Sequence, residues 1–505
     1  MTKVLELHGI TKRFGALTAN DDITLSLRQG EILALLGENG AGKTTLMNIL
    51  FGHYAADAGS VYVFGKELPP GVPRQAIEAG VGMVHQHFTL AGNLTVLDNV
   101  MLGSEPLSRL KSARADARVK LLKTADRFGL PIDPEAKIST LSVGERQRVE
   151  ILKALCRDAR ILILDEPTAV LARPEAQRLF ETLRDMTGEG LSLIFISHKL
   201  HEVMTADRVA VLRGGKLVAE RNTTETNPAE LAELMVGRKV ERPTREDHRI
   251  GAPVLVAANV SIGSGEETRL DDVSFTVHEG EILGIVGVSG NGQAALGALL
   301  SGLAQPSSGG LTLRGVDASS LGPRGMIRAG AGRVPEDRHA EGVVGELSVW
   351  ENAVLERLTT PQFSKNGFVR QRESKVYAEG LIKRFDIRGA TPDTRARLLS
   401  GGNMQKLILG RVLSNDPCFV LANQPTRGLD EGAIASIHAE LLAAREKGAA
   451  ILLISEELEE AVALSDRIQA IVKGRLSAPV PAKDANPQKL GLMMAGVWAE
   501  DAHAT

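Results

Sequence analysis

The nine residues Gly37-Glu38-Asn39-Gly40-Ala41-Gly42-Lys43-Thr44-Thr45 occur in two versions, and that repetition governs the rest of the chain. The second version, 250 positions later, is Gly287-Val288-Ser289-Gly290-Asn291-Gly292-Gln293-Ala294-Ala295. The flanking Gly30-Glu31-Ile32-Leu33 returns as Gly280-Glu281-Ile282-Leu283 at the same offset. The glycines that shape the loop survive, whereas the lysine and the hydroxyl have become Gln293 and Ala294. In a chain of 505 residues such a repeat implies two modules of near-equal length, not one large core.

Each loop lies between an apolar run (Ile32 to Leu36; Ile282 to Val286) and a segment expected to be helical (Thr45 to Phe51; Ala295 to Leu300). Further apolar runs, Ile161 to Leu164 and Leu193 to Ile196, are matched by Phe419 to Ala422 and Ile451 to Ile454. Short buried strands alternating with helices predict an α/β fold with a mainly parallel sheet in each module. Between Leu94 and Ser139 the pattern turns helical and charged, which predicts an inserted helical subdomain. The modules are expected over 1–240 and 253–498, with a polar, Pro-interrupted linker over 241–252 and a tail over 499–505.

Composition narrows the function classes. Hydrophobic residues make up 43% and charged residues 24%, as in ordinary globular proteins. The net charge of −3, with both signs mixed, argues against a basic nucleic-acid-binding surface. Cys156 and Cys418 have no metal-ligand spacing and read as packing residues in a reducing cytosol. The N-terminus does not read as a signal peptide. No run approaches the ~18 to 20 apolar residues that span a bilayer, so the chain is not expected to cross a membrane by itself.

The first loop carries a phosphate-binding pattern in the strand-to-helix setting it requires. Glycines let backbone N–H groups turn toward a β-phosphate, and the helix N-terminus adds partial positive charge. Lys43 would neutralise the β- and γ-phosphates, and the Thr44 hydroxyl would ligate Mg²⁺. Asp165 and Glu166 close the run Ile161 to Leu164, at the strand end where open α/β sheets bind ligands. Asp165 would hold the Mg²⁺ shell, and Glu166 would polarise the attacking water.

With these residues in place the chain resembles the ABC ATPase family over nearly its whole length. Leu141-Ser142-Val143-Gly144-Glu145-Arg146-Gln147 is similar to the family's signature motif, with a second version at Leu399-Ser400-Gly401-Gly402-Asn403-Met404-Gln405. The resemblance implies two tandem P-loop domains, each with a RecA-like parallel-sheet core, an antiparallel β subdomain and a helical insert. It implies that Gln86 contacts Mg²⁺ and a transmembrane partner, and that His198 contacts the γ-phosphate. Phe14 matches the aromatic that stacks on adenine; as a lone aromatic it reads equally well as core.

Beyond the helical insert the offset between the copies is 258, and the substitutions fall on the chemistry. The second module has Gln293 for Lys43, Ala294 for Thr44, Glu336 for Gln86, Asn423 for Asp165, Gln424 for Glu166 and Glu456 for His198. Ser264 falls opposite Phe14. Glu336 and Glu456 are further expected to add negative charge beside a polyphosphate. Such a pocket is expected to bind Mg-ATP poorly and hydrolyse it negligibly.

ABC modules pair head to tail, so the resemblance implies one composite competent site. It would join the loop Gly37 to Thr45, Gln86, Asp165, Glu166 and His198 to Ser400, Gly401 and Gly402, whose hydroxyl and amides close over the γ-phosphate. Asp430 would serve the same site, because Gly428-Leu429-Asp430 keeps the family's aspartate where the first module has Ala172. The degenerate loop would face Ser142 and Gly144.

Fused modules with a weakened second loop look like the ATP-binding subunits of bacterial sugar and nucleoside importers. Val334-Pro335-Glu336-Asp337-Arg338 and Asn423-Gln424-Pro425-Thr426-Arg427-Gly428-Leu429-Asp430 resemble that group's second half. Gly82-Met83-Val84-His85-Gln86-His87-Phe88 is more similar to its nucleoside branch, linked to basic membrane lipoproteins. The implied partners are two transmembrane permease subunits and, indirectly, an extracytoplasmic substrate-binding protein. The implied place is the cytoplasmic face of the inner membrane, held peripherally, with no nucleic acid bound. A soluble twin ATPase acting on ribosomes or DNA is the alternative. It would call for two intact sites with a long charged helical linker, or for zinc-ligand cysteine pairs, and the chain has neither. A P-loop kinase leaves the duplication and the signature unexplained.

Overall fold

The computed structural model describes residues 2–15, 17–85, 88–103, 114–168, 171, 173–237, 243, 245–246, 249–263 and 269–498. The chain divides into two compact units, Met1–Val240 and Glu241–Thr505.

The first unit carries β1 (Lys3–Phe14), β2 (Leu17–Arg28), β3 (Ile32–Leu36), β4 (Ala58–Val63), β5 (Lys66–Glu67), β6 (Val81–Val84), β7 (Ile161–Asp165), β8 (Ser192–Ile196), β9 (Arg208–Arg213) and β10 (Lys216–Asn222). Strands β2-β1-β4-β5 form an antiparallel sheet, and β10-β9-β3-β8-β7-β6 form the core sheet. The core is parallel except for the β9–β10 pair. All five residues of β3, β7 and β8 are buried, as continuous apolar runs covered on both faces require. The strand period of two splits β3 between two cores. Ile32, Ala34 and Leu36 pack with residues of the helical insert, such as Leu121 and Val149. Leu33 and Leu35 pack with the antiparallel sheet and with Leu46 of the helix Lys43–Phe51.

The second unit repeats the plan with β11 (Pro253–Ile262), β12 (Leu270–His278), β13 (Ile282–Val286), β14 (Ser308–Leu313), β15 (Val316–Asp317) and β16 (Ala331–Val334). A hairpin of β17 (Ser364–Lys365) and β18 (Phe368–Val369) follows in its helical insert. Then come β19 (Phe419–Asn423), β20 (Ala450–Ser455), β21 (Arg467–Val472), β22 (Arg475–Leu476) and β23 (Val480–Pro481). Its core sheet runs β16-β19-β20-β13-β21-β22, with β23 on β21. The inserts contain the helices Val96–Met101, Arg114–Arg127 and Val143–Leu155 in one unit and Val349–Val354, Gln371–Arg384 and Gly401–Leu413 in the other.

Part of the segment read as a linker is tied down. The Arg245 guanidinium lies 3.8 Å from Asp466, and the Glu246 carbonyl accepts from the fully buried Arg445 at 3.1 Å. The thiols are half-buried: Cys156 ends the helix Val143–Leu155, and Cys418 precedes β19 and donates toward the Gly330 carbonyl. No helix among the described residues is long and apolar enough to cross a membrane.

Each unit is locked by the same buried ion pair. Arg208 donates to Glu31 at 2.8 Å and also bonds Glu220 and the Ser26 carbonyl; Arg467 donates to Glu281 at 2.5 Å and to the Thr276 carbonyl at 2.9 Å. Removing one partner strands the other charge where water cannot reach it. Arg208→Ala is therefore expected to destabilise the first unit by about 3 kcal/mol, read as a shifted denaturant midpoint. A midpoint within 0.5 kcal/mol equivalents, about the scatter of a surface change, would contradict this.

Candidate nucleotide site

In the first unit β3, β8 and β7 are neighbours, so their C-terminal ends bring three sequence segments together. These are the glycine loop after β3, the pair Asp165-Glu166 at the end of β7, and Ser197-His198 after β8. Gly42 has φ 96°, and a side chain there would drive a Cβ to 2.2 Å from the Ala19 carbonyl oxygen. The following helix begins at Lys43, two residues earlier than the sequence suggested. The left-handed glycine is its cap, so the Thr44 and Thr45 amides fall in the first turn, where a helix cannot use its donors internally. The Lys43 ammonium is buried and donates to the carbonyls of Gly37 (2.7 Å) and Glu38 (2.9 Å), curling over the loop.

Glu166 is held at φ 47°, a left-handed conformation costly for a side-chain-bearing residue. Its amide donates to the Ile196 carbonyl at 3.1 Å, and its carboxylate lies 3.1 Å from His198 Nδ1. Burial pushes the Glu166 carboxyl up, but the His198 hydrogen bond and charge, with Lys43 and Lys199, bring it below the usual range. Asp165 behaves oppositely. Burial and the neighbouring Glu166 charge push it up to about 6, against the opposing pull of Lys43 and the Thr44 hydroxyl. The two adjacent carboxyls thus have separate characters, one an ionised base and the other a buried acid that a cation would relieve.

The first site fits a magnesium nucleotide. Thr44 and Asp165 interact, and that buried carboxyl beside Glu166 lacks a full counter-charge. A hard divalent ion takes such oxygen ligands and completes its shell with phosphate and water. Among the described residues no group of three or more His, Cys, Asp and Glu could hold a metal ion.

The second site keeps the backbone and carries different side chains. Gln424 has φ 49° and donates its amide to the Ile454 carbonyl at 2.8 Å, as Glu166 does to Ile196. Gln293 is more than a missing lysine. Its amide nitrogen donates to the Val288 carbonyl at 2.9 Å, while its oxygen accepts from the Asn291 amide at 3.0 Å. The Asn291 side chain bonds the Val288 carbonyl (2.8 Å) and the Lys473 amide (2.9 Å). Gln293 thus satisfies one backbone donor, the Asn291 amide, that a phosphate cradle would offer. Asn423 Oδ1 is buried without a hydrogen-bond partner among the described residues. Glu336 corrects the sequence expectation, because Arg427 pairs with it and it brings no uncompensated charge.

The polar groups that hold the strand ends survive in both copies. Thr168 and Ser197 converge on Glu202; Thr426 and Ser455 converge on Glu460, both at 2.6 Å. The polar contacts at the strand ends are thus common to both copies, while the loop and strand-end side chains expected at the nucleotide differ.

The signatures also differ in a way residue type alone does not convey. Ser142 caps the helix Val143–Leu155 and donates its hydroxyl to Glu145 at 2.8 Å, which holds that carboxyl below the usual range. Ser400 caps the helix Gly401–Leu413 and instead accepts from the Asn403 amide group at 3.0 Å, which leaves its hydroxyl hydrogen uncommitted to a carboxylate. Asp430 caps the helix Glu431–Glu446 through the Ala433 amide at 2.9 Å. Gly402 is buried beneath this cap. Phe14 is not core: it is 44% exposed and meets Tyr54 edge-on at 5.6 Å. Tyr54, absent from the sequence reading, follows the helix Lys43–Phe51 with no motif to betray it. Gln86, Ala172 and Ser264 lie outside the described residues.

Sheet order, glycine loop and strand-end carboxylates define a twin P-loop nucleotide hydrolase. The family described as ABC transporter matches residues 20–169 and 270–427. The glucose import ATP-binding protein TsgD13 of Haloferax volcanii is 44% identical over 99% of this chain and 97% of its own length. The guanosine import ATP-binding protein NupO of Bacillus subtilis is also 44% identical, over 99% of both chains. The nucleoside import ATP-binding protein NupA of Lactococcus lactis is 42% identical over 98% of both. A solved archaeal ribosome recycling factor, aABCE1, shares the fold at TM-score 0.63 and 18% identity, covering 97% of this chain and 92% of its own. The chain belongs to the ABC transporter family and is an ATPase with two fused nucleotide-binding domains.

Proposed function

We propose that this chain powers an importer through one competent nucleotide site, with ATP bound as its Mg²⁺ complex. The asymmetry between Lys43–Glu166–His198 and Gln293–Gln424–Glu456 carries this reading. Lys43 and the loop amides would hold the β- and γ-phosphates, and Thr44, Asp165 and Gln86 would hold Mg²⁺, which would supply charge neutralisation. Glu166 takes a proton from the attacking water, with His198 fixing the carboxylate and reaching the γ-phosphate. Ser400, Gly401 and Gly402 cap the site, Asp430 supports that cap, and Phe14 stacks on adenine.

The chain sits peripherally on the cytoplasmic face of the inner membrane, docked on two permease subunits, while a separate extracytoplasmic protein delivers cargo. The cargo is a nucleoside or a simple sugar. The named relatives divide between glucose and nucleosides, and the similarity of Gly82 to Phe88 to the nucleoside branch favours the latter. Co-purification with the permeases, followed by uptake assays of nucleosides, pentoses and glucose, tests this; hydrolysis stimulated by ribosomes and not by permease would overturn it. Restoring one base to the second site is expected to change little. Gln424→Glu is predicted to leave turnover within about twofold, because Gln293, Ala294 and Asn423 remain. Turnover doubled or more by that variant would show a second working pocket.

A further inference from the structure

A set of four positions in the second module has changed together relative to the first. Where the first module has Phe88, Val143, Ala169 and Val170, the second has Arg338, Gly401, Arg427 and Gly428. An apolar set has become two arginines and two glycines. These residues are far apart in sequence and meet in the fold.

Arg338 opens a π-helical turn, Arg338–Gly342, a rare feature that is frequent at functional sites. Its guanidinium donates to the Arg427 carbonyl at 2.7 Å. A Cβ placed on Gly401 would stand 3.1 Å from Arg338 Nη2 and 3.2 Å from its Nε, and one on Gly428 would stand 3.5 Å from Nη2. The group therefore lies beside both the signature backbone at Gly401 and the turn leading to Asp430. A side chain at Gly401 would press on the group, and one at Gly428 would meet it at ordinary contact distance in a left-handed backbone conformation that favours glycine. Arg427 in turn pairs with Glu336, which ties Pro335 to Arg338 to the loop after β19.

Arg338 has no carboxylate partner among the described residues, and its Nε is buried without an acceptor. The nearby Asp337 carboxylate is already accepting from the His339 and Ala340 amides. Burial lowers the Arg338 pKa from its ordinary value, with the Asp337 charge opposing that shift and the Arg427 charge adding to it. A half-buried cation with a spare donor is costly to keep where packing alone would suffice, as Phe88 shows in the other copy.

We propose that Arg338 is a positioning residue for ATP hydrolysis: it brackets Gly401 and Gly428 so that the second module's signature and Asp430 turn move as one body, with a positive charge behind them. This rests on the reading that Ser400, Gly401 and Gly402 cap the competent site. The bracket acts through the signature and leaves the phosphate loop untouched. Its loss therefore lowers kcat and spares the KM for ATP, since ground-state nucleotide is held by Lys43 and its loop.

The test is steady-state hydrolysis by the full chain with its permeases. Arg338→Gln and Arg338→Ala are expected to lower kcat about tenfold with KM for ATP within about twofold, the effect of losing one charge-assisted contact. Arg338→Lys, which keeps the charge and one donor to the Arg427 carbonyl, is expected to recover most of that loss. Ser400→Ala serves as the control on the underlying reading. If Ser400→Ala lowers kcat and Arg338→Gln does not, the bracket is wrong and the composite site stands. If Ser400→Ala has no effect, the composite site itself fails. Equal losses in the lysine, glutamine and alanine variants, tracking their melting temperatures, would make Arg338 a fold-stabilising residue only and overturn the proposal.

Discussion

Glu166→Gln is expected to lower ATP turnover by about a thousandfold while ATP still binds, the scale of a lost general base. The substitution keeps size and one hydrogen-bond acceptor, so the left-handed backbone at φ 47° and the contact to His198 can persist. Only the capacity to take a proton disappears. The prediction gains force from the second module, where the same backbone conformation already carries glutamine, at Gln424 with φ 49°. Evolution of the repeat has thus built this variant in place without disturbing the strand end. Turnover and equilibrium binding of a fluorescent ATP analogue, measured side by side, separate chemistry from affinity. Wild-type hydrolysis in this variant would remove Glu166 from its assigned role.

The second large effect concerns affinity, and it should be one-sided. Lys43→Ala is predicted to weaken ATP binding by about a hundredfold, because the buried ammonium proposed to hold the phosphates has no substitute in the loop. Gln293→Ala, at the equivalent position, is predicted to leave turnover and ATP affinity within about twofold. Gln293 bonds its own loop at Val288 and Asn291, so removing it loosens that loop without touching the competent pocket. Titration of both variants with ATP by calorimetry decides the matter. Comparable losses from the two changes would mean that both loops bind nucleotide, and the single-site reading would fall.

Much of this was legible before any coordinates. The loop Gly37 to Thr45 announces itself because phosphate chemistry demands glycine, lysine and hydroxyl at short fixed spacing, all within one turn of chain. The strands β3, β7 and β8 were readable because strands covered on both faces need unbroken apolar runs. Duplication supplied an internal standard, which made each loss in the second module visible at a single position. The helix starts at Lys43, two residues before the expected onset, because Gly42 caps it in a left-handed conformation, at a place where the approach of Ala19, which local sequence does not show, leaves no room for a Cβ.

What remained hidden depends on partners distant in the chain. Glu336 read as an uncompensated charge because Arg427, 91 residues away, is its partner only once the core sheet has formed. Gln293 read as an absence, yet it fills its own loop with hydrogen bonds. The two signature serines looked alike, but one hydroxyl is spent on Glu145 and the other is not. Sequence by itself determined the duplicated α/β plan and which copy keeps its chemistry, because those depend on residue type at local spacing. Tertiary structure alone decided which substituted groups are compensated, as Glu336 and Gln293 are, because charge pairing and hydrogen-bond satisfaction depend on which segments the fold brings within about three ångströms.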